Sequence, residues 1–290
     1  MRLMTDQWTV AFRKKKGDRL SDQSEFERIP TGLKEWYADP FLFEYQGDIY
    51  LFTEYFLYKH GLGTIAYAKY DRSTNTFGAF KEIIREPYHL SYPLVFIHND
   101  EIYMMPEASG SESLYVYKAK HFPDVWEKHA VLTDGIKLVD TTPFLYNGEM
   151  YAVTKKDDTR QDPMLLLKID PDAWKITSRK VVTDDLSISR PGGKVYQENG
   201  IFYMVTQDCE KDYGSAMNLL SFSIDGDMNL TYQLLKKITV DAVHIKDIHN
   251  AVGTHTYNSC GELEVIDFKY PRLSIVRKFW ILMRKLKLKK

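Results

Sequence analysis

Alternating apolar and polar positions recur in five segments of the chain, and each segment reads as two β-strands joined by a tight turn. Residues that tolerate positive φ, as a two-residue hairpin turn requires, lie at the centre of each segment. The segments are DPFLFEYQGDIYLFTE from Asp39, YPLVFIHNDEIYMMPE from Tyr92, TPFLYNGEMYAVTK from Thr142, RPGGKVYQENGIFYMVTQ from Arg190 and HNAVGTHTYNSCGELEVID from His249. The turns are Gln46-Gly47, Asn99-Asp100, Asn147-Gly148, Asn199-Gly200 and Cys260-Gly261.

The spacing of these hairpins indicates the architecture. Their second turn residues lie 53, 48, 52 and 61 positions apart, and further alternating stretches such as TIAYAKYD at 64–71 follow the first four hairpins. Four strands in a unit of roughly 50 residues is typical of a propeller blade. We therefore predict an all-β fold, a five-bladed β-propeller over residues 1–271, in which a strand near 8–13 completes the last blade. A β-sandwich with accidental periodicity is the alternative, but it does not predict five copies of one hairpin.

Composition narrows the class of protein. The chain has 290 residues, of which 44% are hydrophobic, enough to bury a full core, and 14% are aromatic, which favours β structure and surfaces that stack sugar rings. The 39 Lys and Arg residues balance 40 Asp and Glu residues, so a broad basic face for nucleic acid is not expected.

The N-terminus and the cysteines bear on the compartment. The N-terminus has no apolar run of signal-peptide length, and Cys209 and Cys260 are the two cysteines of the chain. A reducing cytoplasm is therefore the simplest location. A disulfide formed after export by an unrecognised route is the alternative.

The C-terminal segment differs in charge from the rest of the chain. Residues 272–290 contain eight Lys and Arg residues and no acid, whereas residues 1–271 contain 31 basic and 40 acidic residues. The segment places Val276, Phe279, Trp280, Met283 and Leu286 at helical spacing on one face. We predict a basic amphipathic helix that lies on an anionic membrane surface, with packing against the side of the propeller as the alternative.

Equivalent positions of the repeats converge at the axis of a propeller, because the innermost strands line its channel. The strand starts supply Asp39, Tyr92, Asp140 with Thr142, Arg190, and His249 with Asn250, all polar or ionisable. The hairpin ends supply Glu54, Glu107, Lys155 and Gln207. For Glu54 and Lys155, a strand-capping role at the rim is equally consistent with the pattern.

Three acids from different blades are candidates for glycosyl transfer, which usually needs two carboxyls several ångströms apart. They are Asp39, Glu107 and Asp140, and the apolar neighbours of Glu107 favour the raised pKa of a general acid. The alternative is a channel acid that merely pairs with Arg190. His249 and His255 are candidates for substrate or axial-ion contacts, or for hydrogen-bonded core positions. Asp-x-Asp pairs occur at chance frequency, so no metal site is predicted and the cofactor stays undetermined.

Several segments together resemble a known family: WYADPFLF, HLSYPLVF, YMMPEAS, DTTPFLYNGEMY, SRPGGKVY, TQDCEKDYG and GTHTYN with EVID. They are similar to the propeller domain at the N-terminus of plant glucosamine inositolphosphorylceramide transferase and in bacterial surface-polysaccharide proteins. That domain resembles the five-bladed arabinanase and fructofuranosidase glycosidases. The resemblance implies a sugar site at the channel mouth, with Asp39 as general base and Asp140 as the orienting acid.

The chain departs from the glycosidases at the position of their general acid. In blade four, where they carry a glutamate, this sequence reads Arg190-Pro191-Gly192. A phosphate leaving group departs as an anion and would be better served by an arginine than by a carboxylic acid.

We therefore expect a carbohydrate-active enzyme of surface-glycan biosynthesis at the cytoplasmic face of the membrane, which transfers or trims a sugar on a lipid-linked glycan. The alternatives are a furanosidase-type glycoside hydrolase and a propeller that only binds glycan. The expected catalytic residues are Asp39, Glu107, Asp140 and Arg190, and the expected substrate-binding residues are Glu54, Tyr92, Gln207, Asp208, His249 and His255.

Overall fold

The computed structural model describes residues 4–17, 24–273 and 275–287. Almost every regular element in these ranges is a strand, apart from two short 3₁₀ turns and one C-terminal helix. The strands and the helix are β1 (Met4–Lys14), β2 (Glu27–Arg28), β3 (Glu35–Tyr45), β4 (Asp48–Leu57), β5 (Gly63–Asp71), β6 (Thr76–Phe77), β7 (Lys81–Ile84), β8 (Ser91–His98), β9 (Glu101–Glu107), β10 (Ser113–His121), β11 (Val125–Asp134), β12 (Leu138–Tyr146), β13 (Glu149–Lys156), β14 (Met164–Asp170), β15 (Lys175–Thr183), β16 (Arg190–Pro191), β17 (Tyr196–Glu198), β18 (Ile201–Asp208), β19 (Ala216–Ile224), β20 (Leu230–Thr239), β21 (Tyr257–Cys260), β22 (Leu263–Leu273) and α1 (Ile275–Lys287).

The strands form five antiparallel sheets, which confirms the predicted five-bladed propeller. Blades 1 to 4 follow the chain from their innermost strands β3, β8, β12 and β16 outward. Blade 5 has the order β21-β22-β1-β2 from the inside outward. Strand β1 is therefore the third strand of the blade that also holds the end of the chain.

The pairing of β1 with β22 joins the two ends of the propeller. Eleven consecutive residues pair, from Met4 with Leu273 to Lys14 with Leu263. Val10, Ala11 and Phe12 are all buried in β1, so the strand is covered on both faces. Each large apolar side chain removed from water in this way contributes about 1.5–3 kcal/mol, and this burial holds the ring closed.

Four of the five hairpin turns lie where the sequence predicts them. Asn147 and Gly148, for example, have φ of 50° and 83°, as a type I′ turn requires. The fifth turn is displaced by one residue from the predicted Cys260-Gly261, because Cys260 pairs with Leu263 and leaves Gly261 and Glu262 at the turn. The apolar residue at the start of β22 fixes this shift, since the Leu263 side chain is fully buried.

Helix α1 follows blade 5 and lies beside blade 1. The Arg284 guanidinium donates a hydrogen bond of 3.0 Å to the Tyr58 carbonyl oxygen. The strongly exposed apolar residues of the helix are Ile275, Phe279, Leu282 and Leu286, whereas Val276, Trp280 and Met283 of the predicted apolar face are half-buried. Residues 274 and 288–290 of the predicted tail lie outside the described residues. No helix in the described ranges is long and apolar enough to span a bilayer.

Candidate active site

Three innermost strands share a bulge at their beginning. The ladders of β3, β8 and β12 shift register between Ala38 and Phe41, Ser91 and Leu94, and Val139 and Thr142. Within each shift one non-glycine residue has a left-handed backbone: Asp39 (φ 48°), Tyr92 (φ 49°) and Asp140 (φ 51°). Such conformations cost roughly 1 kcal/mol or more each and cluster at functional sites. The bulges turn three equivalent side chains out of their own sheets and toward the other blades.

Asp39 and His255 connect blade 1 to blade 5. His255 Nε2 lies 3.2 Å from Asp39 Oδ1, and His255 Nδ1 lies 2.8 Å from Asp267 Oδ1. The Thr256 hydroxyl donates to Asp39 Oδ1 at 3.0 Å, and the Tyr92 N–H donates to Asp39 Oδ2 at 3.2 Å. All three partners of the Asp39 carboxylate are buried, and they fix its orientation.

Asp140 and Arg190 connect blades 3 and 4. The Arg190 Nε–H donates to Asp140 Oδ2 at 2.5 Å, and the Gln207 amide donates to the same oxygen at 2.7 Å. A second nitrogen of Arg190 lies 3.6 Å from Glu107 Oε2 of blade 2, so one guanidinium contacts both carboxyls. Tyr92 completes the contacts: its hydroxyl accepts the Gly193 N–H at 2.8 Å and lies 2.9 Å from the Thr142 hydroxyl.

The environments of the acids push their pKa values apart. Burial would raise the pKa of Asp39, but the hydrogen bonds from His255, Thr256 and the Tyr92 N–H hold it below its usual value. Burial and the neighbouring Asp140 raise the pKa of Glu107 to about 8. Asp39 is thus ionised at neutral pH while Glu107 keeps its proton, which is the division between base and acid that enzymes use in glycosyl transfer.

His255 is a cation in this arrangement. Burial favours the neutral imidazole, but Asp267 and Asp39 together raise the pKa of His255 to about 10. Asp39, His255 and Asp267 each offer a ligand atom within 4.8 Å of the others, so the three could in principle hold a metal ion. Both imidazole nitrogens face a carboxylate, and a protonated imidazole has no lone pair to give, so the arrangement fits a proton better than a metal.

Two aromatic side chains cover this cluster, and the repeat pattern of the sequence does not predict them. The Trp8 ring lies over His255 with 4.0 Å between ring centroids, and the Tyr213 ring approaches His255 edge-on at 5.0 Å. The Arg190 guanidinium lies 4.9 Å from the centre of the Tyr213 ring, which is 40% exposed. Tyr213 belongs to the quoted segment TQDCEKDYG, but nothing in its local sequence indicates that it reaches blade 5.

The structure brings together seven of the expected site residues: Asp39, Tyr92, Glu107, Asp140, Arg190, Gln207 and His255. Asp267 joins them, although the sequence analysis did not single it out. Its signal was its position in EVID, a segment of the fifth repeat.

Three other expected residues lie outside these hydrogen-bonded contacts. His249 is exposed in the loop before β21, because the fifth innermost strand begins at Tyr257 and His255 takes the position expected for His249. Asp208 is buried and forms an ion pair with Lys237 while it accepts the Glu210 N–H, so it anchors a loop. Glu54 lies 3.1 Å from His89 Nε2 between blades 1 and 2.

Comparisons with known proteins agree with this architecture. The family model described as Glucosamine inositolphosphorylceramide transferase 1, N-terminal, matches residues 31–259, which confirms the family resemblance. Glucosamine inositolphosphorylceramide transferase 1 of Oryza sativa subsp. japonica is 29% identical over 215 residues. That alignment covers 70% of this chain and 28% of the rice protein, so the chain spans little more than a quarter of that relative's length.

Solved glycosidase structures share the fold at low sequence identity. The catalytic domain of the Coprinopsis cinerea GH62 α-L-arabinofuranosidase superposes with a TM-score of 0.60 at 10% identity, covering 90% of this chain and 96% of that one. The GH43 endo-arabinanase from Bacillus licheniformis gives a TM-score of 0.53 at 13% identity, covering 81% of this chain and 96% of that one.

Proposed function

We propose, on the premise that this chain belongs to the family Glucosamine inositolphosphorylceramide transferase 1, N-terminal, that it is a carbohydrate-active enzyme that transfers or trims a sugar on a lipid-linked glycan. The observation that carries the proposal is the pair of acids with opposite protonation. Asp39 is ionised and Glu107 is protonated at neutral pH, and both belong to one network that spans all five blades.

In this proposal Asp39 accepts the proton of the attacking hydroxyl, which belongs to water or to an acceptor glycan. Three hydrogen-bond donors hold its carboxylate in one orientation, so attack needs little reorganisation. On the leaving side, Arg190 offers positive charge to the departing oxygen, and Glu107 offers a proton where that oxygen belongs to a sugar rather than to a phosphate. Asp140 positions Arg190, since the two form a hydrogen bond of 2.5 Å.

Helix α1 supports a location at the inner surface of a membrane. Its exposed residues Ile275, Phe279, Leu282 and Leu286 are spaced by three or four positions and form one apolar stripe. Arg277, Lys278 and Lys285 add positive charge within the same 13-residue helix. Each basic residue near an anionic bilayer contributes about 1 kcal/mol, and such a helix binds in the plane of the interface.

The test is turnover of lipid-linked glycans extracted from membranes, incubated with the purified protein and analysed by mass spectrometry. We expect loss of sugar, or its transfer from one lipid-linked glycan to another, with the unmodified protein and neither with Asp39→Asn. Asp172→Asn, which changes an exposed carboxylate, is the control and should retain activity. Tight glycan binding by both variants without any turnover would contradict the proposal and assign the propeller a binding role.

A furanosidase-type hydrolase is the second candidate, because the protonated Glu107 is suited to a neutral sugar leaving group. Release of a chromogenic arabinofuranoside or fructofuranoside, abolished by Asp39→Asn and by Glu107→Gln, would favour this function over the first.

A further inference from the structure

A cavity of about 480 Å³ lies beside Arg190, between blades 3 and 4. Arg190 and Tyr213 both line this cavity. Arg190 also contacts Glu107 and the Tyr213 ring, so the cavity lies next to the acids of the candidate active site. The remaining walls come from the loops after β13 and β18 and from the segment before β16. The charged residues of these walls are Lys155, Asp157, Asp158, Arg160, Lys211 and Asp212.

Lys155 is the buried cation of this cavity. Its side chain belongs to a residue that is 5% exposed, and its Nζ donates to the Asp162 carbonyl oxygen and lies 3.4 Å from the Ser189 hydroxyl. Both partners are uncharged. Among the described residues, no carboxylate forms an ion pair with Lys155, and burial together with Arg190 lowers its pKa. A buried charge without a counter-charge costs several kcal/mol.

Two further cations at the cavity also lack a carboxylate partner within the ranges that the structure covers. The Arg160 guanidinium donates to the carbonyl oxygens of Cys209 and Glu210, at 2.8 and 2.7 Å. Lys211 is exposed at the rim. Among the described lining residues, three side chains therefore carry positive charge without an ion-pair partner: Lys155, Arg160 and Lys211.

The acids of the cavity do not cancel this charge. Asp158 forms an ion pair of 2.7 Å with Lys156, and Asp212 forms one of 3.0 Å with Lys269. Asp157 alone has no such partner in the described part of the chain. Arg190 is already shared between Asp140 and Glu107. The cavity thus holds an excess of positive charge around Lys155.

We infer that this cavity binds the phosphate or pyrophosphate of a phosphorylated sugar, with the sugar directed toward Asp39 and Glu107. The inference rests on the proposed function, since it names the substrate class of the same site. An anion at Lys155 supplies the missing counter-charge, and Arg160 and Lys211 are suited to phosphate oxygens. The volume exceeds that of one phosphate and falls within the range typical of small-molecule sites.

The corresponding step conserves atoms and charge. The bond between the anomeric carbon and the phosphate oxygen breaks, and its electron pair remains on the phosphate, which leaves as an anion. The acceptor hydroxyl, from water or a glycan, forms the new bond to that carbon and gives its proton to Asp39. The phosphate itself needs no proton to depart, so the loss of the blade-four glutamate is compatible with this chemistry.

Titration calorimetry with inorganic pyrophosphate tests the inference. We expect saturable binding by the unmodified protein and at least tenfold weaker binding by Lys155→Met, because the variant loses a charge-assisted hydrogen bond to the anion. Lys180→Met is the matched control: Lys180 also donates to a carbonyl oxygen, that of Asp227, but lies outside the cavity, and its replacement should leave binding unchanged.

Thermal unfolding without ligand provides the second measurement. Lys155→Met should raise Tm, because it removes a buried charge that has no counter-charge, whereas a purely structural lysine would lower Tm on removal. The inference would be overturned if the unmodified protein did not bind pyrophosphate, if Lys180→Met lost as much pyrophosphate affinity as Lys155→Met, or if Lys155→Met bound pyrophosphate unchanged.

Two ligands distinguish the source of the phosphate. Uridine 5′-diphosphate and farnesyl diphosphate share the pyrophosphate but carry a nucleoside or a lipid, and tighter binding of one identifies the substrate type.

The binding assay is independent of turnover. A protein that binds pyrophosphate but turns over no glycan upholds this inference and contradicts the proposed function, whereas turnover of a lipid-linked glycan without pyrophosphate binding does the reverse.

Discussion

Asp39 Oδ1 and His255 Nε2 lie 3.2 Å apart, although 216 positions separate the two residues in the sequence. The contact joins the innermost strand of blade 1 to the segment that precedes the innermost strand of blade 5. On its other side the same imidazole contacts Asp267 at 2.8 Å. A protonated imidazole therefore holds two buried carboxylates together where the first and last blades meet.

The first prediction concerns stability and pH. The pKa of His255 is raised from an ordinary 6.5 to about 10, so its contribution is fully present below about pH 6.5 and is lost as pH rises through about 10. His255→Gln should lower the free energy of unfolding by about 3–5 kcal/mol at pH 6, and by progressively less toward pH 10. Urea unfolding monitored by tryptophan fluorescence measures this. His98→Gln, which alters a histidine beside the exposed Asp172, serves as control. If His255→Gln lowers the free energy of unfolding by the same amount at every pH, the prediction is contradicted.

The second prediction concerns the acid. If Glu107 donates a proton, kcat/KM should fall as pH rises through about 8, where the carboxyl ionises. Glu107→Gln should reduce kcat/KM by about 10²–10⁴-fold near pH 7 and remove this alkaline limb. The control is Glu101→Gln in the same strand, whose carboxylate is exposed and pairs with Lys118. An alkaline limb that persists in Glu107→Gln assigns the titration to another group.

The third prediction concerns the loop that carries Tyr213. A Cβ at Gly214 (φ 65°) would lie 2.7 Å from the Trp8 ring and 3.0 Å from His255 Cβ, whereas one at Gly200 (φ 80°) meets nothing within 4 Å. Both alanine variants cost about 1 kcal/mol of backbone strain. Gly214→Ala should in addition displace the aromatic cover and lower kcat/KM at least tenfold, with an altered tryptophan spectrum. Indistinguishable kinetics for the two variants would show that the cover is not needed.

The fourth prediction concerns α1. Phe279→Glu combined with Leu282→Glu should reduce partitioning onto vesicles with roughly one third anionic lipid by at least tenfold, because each side chain inserted contributes about 1.5–3 kcal/mol. Leu234→Glu, at an apolar position on blade 4 that is 54% exposed, is the matched control and should sediment with vesicles like the unmodified protein.

A truncation after Leu273 extends the same test. It keeps Arg272, whose guanidinium bonds the Thr31 hydroxyl at 2.6 Å, and removes the helix. The shortened chain should remain folded and stay in the supernatant. If the double glutamate variant or the truncated chain sediments with vesicles as much as the unmodified protein does, α1 is not the membrane contact.

Local patterns account for the blades and for much of the site. Turn residues such as Asn147 and Gly148 set each hairpin, and the hairpin repeat then fixes which residues begin the innermost strands. This is how Asp39, Asp140 and Arg190 were identified. The fifth repeat departs from the pattern, since its alternation is interrupted before Tyr257, and His255 rather than His249 contacts Asp39.

Contacts between blades had no local signal. Lys155 and Asp208 occupy positions in the repeats that predict site residues. In the structure Lys155 is a buried cation at a cavity, whereas Asp208 pairs with Lys237. The surroundings of both side chains come from segments that are distant in the chain. Trp8 likewise reaches His255 only through the pairing of β1 with β22.

By itself, the sequence determined the five hairpins, the β architecture and the basic helix, since alternation, turn chemistry and charge act within a few residues of each other. The tertiary structure decided the protonation of Asp39, Glu107 and His255, because a pKa depends on burial and on the charges that the other blades bring within a few ångströms. The tertiary structure also placed Lys155 in a buried position without an ion-pair partner among the described residues. No local pattern in the sequence can specify such a position.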